Sequence, residues 1–270
     1  MWEGISPVFA DVISSSLTID PVEIKKSLNQ DISAIVPVHV YGNPCDVEQI
    51  KEISLENNLP VIYDAAHGFG VKYKGKGLLN YGDISIISFH ATKLFHTIEG
   101  GAIVTNNDKL AHKIRLMSNF GLENHENVCG IGINAKMNEF EAAMGLAVFE
   151  RISEVLLSRK KIWKLYNELL GSELEFPEIR NGTDWNYSYV PVLFKSERIL
   201  LKAIQMLNYY NIFPRRYFYP SLDTLDYVTK NIICPVSRDT SSRVLCLPTS
   251  YGIEQETVEQ VVNIIKKVIN

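Results

Sequence analysis

Apolar residues in the first half of the chain fall into short continuous runs separated by stretches with helical spacing. The runs are Ala34 to Val40 (interrupted only by His39), Pro60 to Tyr63, Ile84 to Phe89 and Gly101 to Thr105, with a shorter one at Pro7-Val8-Phe9-Ala10. The Ala34 to Val40 run predicts a strand covered on both faces, and Pro60 to Tyr63, Ile84 to Phe89 and Gly101 to Thr105 read as further strands. Between them, Asp20-Pro21-Val22-Glu23 sets an N-cap residue before a proline at the first helical position. Asp46 opens a second helix with Val47, Ile50 and Ile53 on one side, and Asp108 to Met117 reads as a third. Strands interleaved with helices predict an α/β fold with a mainly parallel sheet, whose ligand site lies at the carboxyl ends of the strands.

From Asn138 to Leu170 the pattern turns helical, with Phe140, Met144, Val148, Ile152, Val155, Ile162 and Tyr166 recurring near the helical period. This stretch is longer than an ordinary globular helix and predicts a spine, broken once, that joins two domains. Beyond a loop from Gly171 to Trp185, a strand is expected at Tyr187 to Phe194 and a helix from Ser196 towards Tyr209. A last helix carries Val258, Val261, Val262, Ile265 and Val268 on one face. The division expected is a large domain over residues 1–150, then an interdomain helix with a small α+β domain over 151–270. Neither an internal repeat nor a low-complexity segment is present.

Composition narrows the function classes. The 270 residues are 46% hydrophobic and 21% charged, as in soluble globular proteins. A formal net charge of −4 argues against a nucleic-acid partner. No apolar run approaches membrane-spanning length, and Met1-Trp2-Glu3-Gly4 lacks the features of a secretory leader. Cys45, Cys129, Cys234 and Cys246 lack the spacing of a zinc site, so no metal is expected and a cytoplasmic setting is.

Candidate chemistry gathers at two strand ends. The Pro60 to Tyr63 run ends in Asp64-Ala65-Ala66-His67-Gly68, and the Ile84 to Phe89 run leads into Ser88-Phe89-His90-Ala91-Thr92-Lys93. Taken singly, Asp64 is a turn cap, His67 a satisfied core histidine, Ser88 a packing residue and Lys93 a solvated surface group. Taken together, a carboxylate, a hydroxyl and a lysine in this order suit pyridoxal phosphate. The lysine can form the Schiff base, the carboxylate can keep the pyridine nitrogen protonated, and the hydroxyl can take part of the phosphate.

With Pro37-Val38-His39-Val40-Tyr41-Gly42, Glu99-Gly100-Gly101 and Gly132-Ile133-Asn134-Ala135-Lys136-Met137-Asn138-Glu139 added, the chain resembles the DegT/DnrJ/EryC1/StrS family of sugar-nucleotide aminotransferases. The resemblance implies an aspartate-aminotransferase-like (fold-type I) large domain with a smaller C-terminal domain. It makes Lys93 the Schiff-base lysine and general base, and Asp64 the partner of the pyridine nitrogen. Asp64, Ala66, His67, Ser88, Lys93 and Asn134 become the cofactor-binding residues. Asn134 would reach the cofactor of a neighbouring subunit, so a homodimer with shared active sites is implied. The reaction implied is transfer of an amino group, from glutamate, to a keto-sugar nucleotide, for cell-surface polysaccharide or other amino-sugar biosynthesis.

Two departures from the family pattern stand out. Histidine occupies position 67, where the family usually has glutamine facing the cofactor's phenolic oxygen, and its protonation is expected to shift with pH. Family members also carry, before the point matching Gly4-Ile5-Ser6-Pro7, helices, a first sheet strand, a phosphate-holding turn and an aromatic over the cofactor ring. On that ground the 270 residues are expected to be a weak or inactive aminotransferase, with colour and activity recovered by extension upstream. Two alternatives stand beside this reading. One is an inactive remnant or a partner-dependent subunit. The other is a class V aminotransferase or cysteine desulfurase, which would need a catalytic cysteine on a mobile loop, a role for which Cys129 is a poor candidate.

Overall fold

The computed structural model describes residues 1–228 and 232–269. Helix α1, Pro21–Ser27, starts where Asp20 accepts a hydrogen bond from Val22 N at 2.8 Å and Pro21 sets the first turn. Helix α2, Val47–Asn57, starts at Asp46, whose carboxylate accepts from Gln49 N, and stops at Asn58, which takes the left-handed conformation (φ 52°). Its buried face is Val47, Ile50 and Ile53, the spacing read from the sequence. They pack with Ile35, Val61 and Tyr63 to form the first core.

Strand β1, Ile62–Asp64, is followed by the short pair β2, Lys72–Tyr73, and β3, Lys76–Gly77, then by β4, Ile84–Ser88, and β5, Gly101–Val104. β1 and β4 are parallel, with Asp64 opposite Ile86. Parallel bridges Ile35 to Val61 and Val38 to Asp64 add the 34–40 segment on the other side of β1. β5 runs antiparallel to β4, pairing Ser88 with Gly101, because the connection over residues 89–100 holds no crossover helix. The segment 34–40 departs from its expected cover on both faces. Ile35, Pro37 and His39 are buried while Val36 and Val38 are exposed, as are Ile86 and Ile103 further along the sheet. Among the described residues only one face of this sheet carries the first core.

Helix α3, Asp108–Ser118, precedes α4, Glu139–Glu150, and α5, Ile152–Leu170. The predicted spine does break once, at Arg151 (φ −104°, ψ 5°). α4 begins with a reciprocal capping box between Asn138 and Glu141. β6, Thr183–Asp184, joins β2, and β7, Pro191–Leu193, pairs with a later strand, β8, Val244–Cys246. The strand expected over Tyr187 to Phe194 is thus shorter, since Tyr187 sits at φ 53° and breaks the extended run. α6, Glu197–Tyr209, α7, Pro235–Arg243, and α8, Gln255–Ile269, complete the chain. The second core lies between α5, α6, α8 and the β7–β8 pair and includes Tyr166, Leu170, Phe194, Leu200 and Ile265. Each such side chain contributes about 1.5–3 kcal/mol on burial. Among the described residues no helix is long and apolar enough to cross a membrane.

One polar contact ties the two ends of the chain together. Cys234 offers no side-chain cap to α7, and Asp11 supplies one instead, accepting from Val236 N and Ser237 N at 2.8 Å each. Asp11→Ala is therefore expected to lower unfolding stability by about 1–3 kcal/mol, measured by urea denaturation. A midpoint equal to that of the parent protein would show that the cap carries no stability.

Candidate active site

The sheet brings three carboxyl-end positions side by side. His39 N donates to Asp64 O and Asp64 N to Pro37 O, both at 2.9 Å, while Ala65 N donates to Ile86 O at 2.8 Å. The chain turns immediately after β1, where the Asp64 carboxylate accepts from Ala66 N at 3.0 Å. Ser88 closes β4, and its hydroxyl accepts from His90 N at 3.3 Å, which starts the turn leading to Lys93. Lys93 N bonds back to His90 O at 2.9 Å. Leu94 and Phe95 are buried behind it, and Phe95 stacks on Phe69 with centroids 4.4 Å apart. Phe69 follows His67 by two positions, so this stack holds the Lys93 loop against the turn after β1.

The electrostatics follow from that enclosure. Partial burial lowers the Lys93 amine below the ordinary lysine range, and the Asp64 carboxylate opposes the shift without cancelling it. His67 is driven down to about 3, first by burial and then by the nearby Lys93 charge. The pH-dependent protonation expected of His67 is thereby corrected, because the imidazole stays neutral across the physiological range. Its Nδ1 accepts from Tyr41 N at 3.0 Å. Its ring lies against Tyr189 and Phe218, with centroids at 4.6 and 5.5 Å.

Asp64, Ala66, His67, Ser88 and Lys93 therefore share one end of the sheet. Asn134 stands apart on an exposed segment bridged to Asn119, where its Oδ1 accepts from Lys136 Nζ at 2.6 Å. No contact within the chain joins it to Ser88 or Lys93 among the described residues. Cys129 is exposed beside the Glu123 carboxylate at 3.5 Å, a neighbour that disfavours the thiolate a desulfurase needs.

Sequence reasoning missed the residues that hold His67. Trp185 Nε1 donates to Tyr41 O at 2.9 Å, and Asn186 Nδ2 donates to both His67 O and Phe69 O at 2.8 Å. In the sequence Trp185 reads as the end of a loop, and the signal that marks it otherwise is its aromatic neighbourhood, Trp185-Asn186-Tyr187-Ser188-Tyr189.

Comparison with known proteins sets this geometry in context. The model of the DegT/DnrJ/EryC1/StrS aminotransferase family matches residues 1–266. A dTDP-4-amino-4,6-dideoxy-D-glucose transaminase of Shigella dysenteriae is 40% identical over 98% of this chain and 74% of its own length. A GDP-perosamine synthase of Vibrio cholerae is 28% identical over 99% of this chain and 75% of its own. Among solved structures, DesI in the presence of its TDP-sugar product superposes with a TM-score of 0.92 at 30% identity, covering 98% of this chain and 70% of that one.

The Lys93 amine is expected to titrate below the exposed lysines in the ligand-free protein, and Asp64→Asn to lower it further by removing the opposing anion. The pH dependence of acetylation at Lys93, followed by mass spectrometry, reads this directly. A Lys93 that reacts like the surface lysines, or rises in Asp64→Asn, contradicts the electrostatic account.

Proposed function

The chain belongs to the DegT/DnrJ/EryC1/StrS aminotransferase family, and from that premise we propose that it moves an amino group onto the keto carbon of a sugar nucleotide. It is a pyridoxal-phosphate enzyme of the fold-type I architecture. The 40% identity to the Shigella transaminase supports a dTDP-linked 4,6-dideoxyhexose as the sugar and C4 as the carbon aminated. Glutamate is the proposed amino donor. Its carbon is oxidised to a ketone while the sugar's carbonyl carbon is reduced and gains the nitrogen.

The residues at the sheet end fit the cofactor by the chemistry they offer. Asp64 supplies an anion for the pyridinium nitrogen, with one carboxylate oxygen fixed by Ala66 N. His67, a neutral imidazole, supplies a donor for the phenolic oxygen. Ser88 supplies a hydroxyl for the phosphate, and Ala66 presents a small side chain at the same end. Lys93 supplies an amine whose pKa burial lowers, and its place at the same sheet end as Asp64, His67 and Ser88 is the observation that carries the reading. When bound, pyridoxal phosphate supplies the electron sink for charge developing at the substrate carbon. Lys93 Nζ would hold the cofactor and would also move the proton, from the donor's α-carbon in one half of the transfer and onto the sugar carbon in the other. A lysine suits both tasks because desolvation brings its amine towards neutrality.

Residues 1–150 are proposed as the cofactor-binding part and 151–270 as the spine and small domain. The second core, drawn wholly from residues after 160, supports that division. A homodimer is proposed in which Asn134 serves the neighbouring subunit's site. Its exposure and its lack of a contact with Ser88 or Lys93 in its own chain support this. The protein is further proposed to act in the cytoplasm, where nucleotide sugars are made.

Lys93→Ala is expected to abolish the borohydride-reducible visible band that the parent protein forms with pyridoxal phosphate. Asp64→Ala should keep some cofactor and lose most amino transfer, assayed with glutamate and a dTDP-4-keto-6-deoxyhexose. An unchanged band or rate in either variant would sink the assignment. Mixing Lys93→Ala with Asn134→Ala protein should restore up to about a quarter of parental activity if sites are shared between subunits, as random reassortment leaves one intact site in half the dimers. No recovery, with subunit exchange verified, argues for sites complete within one chain.

A further inference from the structure

His67 occupies a position where a side-chain amide could rotate to donate or accept, whereas the imidazole seen here has no such freedom. A backbone N–H can only donate, so the 3.0 Å bond from Tyr41 N requires an unprotonated Nδ1 and leaves the proton on Nε2. The Tyr41 amide is itself fixed from several sides. Its carbonyl accepts from Trp185 Nε1 at 2.9 Å and Ser188 Oγ at 3.4 Å, and its phenol donates to Tyr217 O. The residue sits at φ 56°, followed by Gly42 at φ 79°, a turn that aims the N–H back at the ring. On the other side, Asn186 Nδ2 holds the His67 carbonyl at 2.8 Å. Tyr41, Phe218 and the imidazole form one cluster of near-parallel rings, with Tyr41 and Phe218 at interplanar angles of 10° and 11° to the imidazole and 6.2 Å from each other.

We propose that the Tyr41 backbone amide is a positioning group that locks His67 as a permanent Nε2–H donor, so that the histidine stabilises the cofactor's oxygen anion without ever carrying a proton in or out. This rests on the cofactor reading above for what Nε2 faces, but not for where the proton is. A second proton on Nδ1 would set two donors against each other and leave the Tyr41 N–H buried without an acceptor. The groups packed around the ring are Tyr41, Tyr189 and Phe218, and the charge acting on it is that of Lys93, which also opposes an imidazolium. Among the described residues Nε2 has no acceptor of its own, so its proton is free for a ligand.

The test begins with ligand-free protein labelled with nitrogen-15 in histidine and tyrosine. His67 should show a pyrrole-type Nε2 and a pyridine-type Nδ1, unchanged from about pH 5 to about pH 8, with a through-hydrogen-bond coupling from Tyr41 N to Nδ1. Loss of the signals in His67→Gln assigns them, and the Tyr41 coupling does so if that variant does not fold. A proton on Nδ1, a mixture of tautomers, or titration within that range overturns the proposal. In the second arm, pyridoxal phosphate is added and the pH midpoint of the visible band is read. His67→Phe should raise it, with at least about a tenfold gain in proton affinity, because the oxygen anion loses a charge-assisted donor. His67→Gln should stay near the parent midpoint. An unmoved midpoint in His67→Phe overturns the donor role. If the parent protein forms no visible band, the cofactor reading fails and the ligand-free spectrum still decides the proton's position.

Discussion

The site depends on a backbone clamp: residues 185–188, far along the chain, hydrogen-bond to the main chain on both sides of the first strand end. Trp185 and Ser188 hold the Tyr41 carbonyl, and Asn186 bridges the carbonyls of His67 and Phe69. Apart from the partly buried contact to Phe69 these groups lie in the interior, where each carbonyl left unpaired costs about 1–3 kcal/mol. Gly42 shows how close the approach is. A Cβ there would come within 2.9 Å of both Asn186 Oδ1 and His67 O, in a backbone conformation (φ 79°) that other residues resist. With the turn after β1 held in this way, Phe69 offers a fixed face to Phe95, and the loop carrying Lys93 is positioned in its turn.

The same enclosure sets the charge states. For Lys93, desolvation disfavours the ammonium and the Asp64 anion favours it, and the net shift is downward, so burial wins. For His67 the two effects act together, because burial and the Lys93 cation both oppose an imidazolium. A half-buried lysine beside a neutral imidazole and a strand-end carboxylate is thus one coupled arrangement. Moving the Lys93 loop into solvent would relax both shifts at once.

What could be read from the sequence was local or short-range. Asp64 and Ser88 were legible because parallel strands announce themselves as apolar runs, and the residue that ends each run must lie at the sheet's carboxyl edge. The helix starts at Asp20, Asp46 and Asn138 were legible because caps are a matter of a few adjacent residues. The spine's break was anticipated, but its location at Arg151 depends on tertiary packing. Exposure of Val36 and Val38 was not legible, since an apolar run does not say which of its faces the rest of the chain covers. Nor was the clamp. Trp185 and Asn186 act across more than a hundred residues of sequence, a separation at which spacing carries no signal.

The contrast between His39 and His67 shows why address matters more than residue type. Each histidine accepts at Nδ1 from a backbone N–H at 3.0 Å, from Cys45 and Tyr41 respectively, and burial lowers each to about 3. Both are therefore neutral and both carry the proton on Nε2. His39 lies within the 34–40 segment, level with Asp64, with its ring stacked on Tyr63 at 4.4 Å, and its Nε2 is buried without a partner among the described residues. That proton is a cost to stability and available to nothing. His67 lies one turn past Asp64, on the same sheet edge as Ser88 and Lys93, where an unpaired donor can meet a ligand. Identical tautomers and similar burial thus give a packing residue in one place and a binding group in the other, and the difference is the strand end that delivers the second.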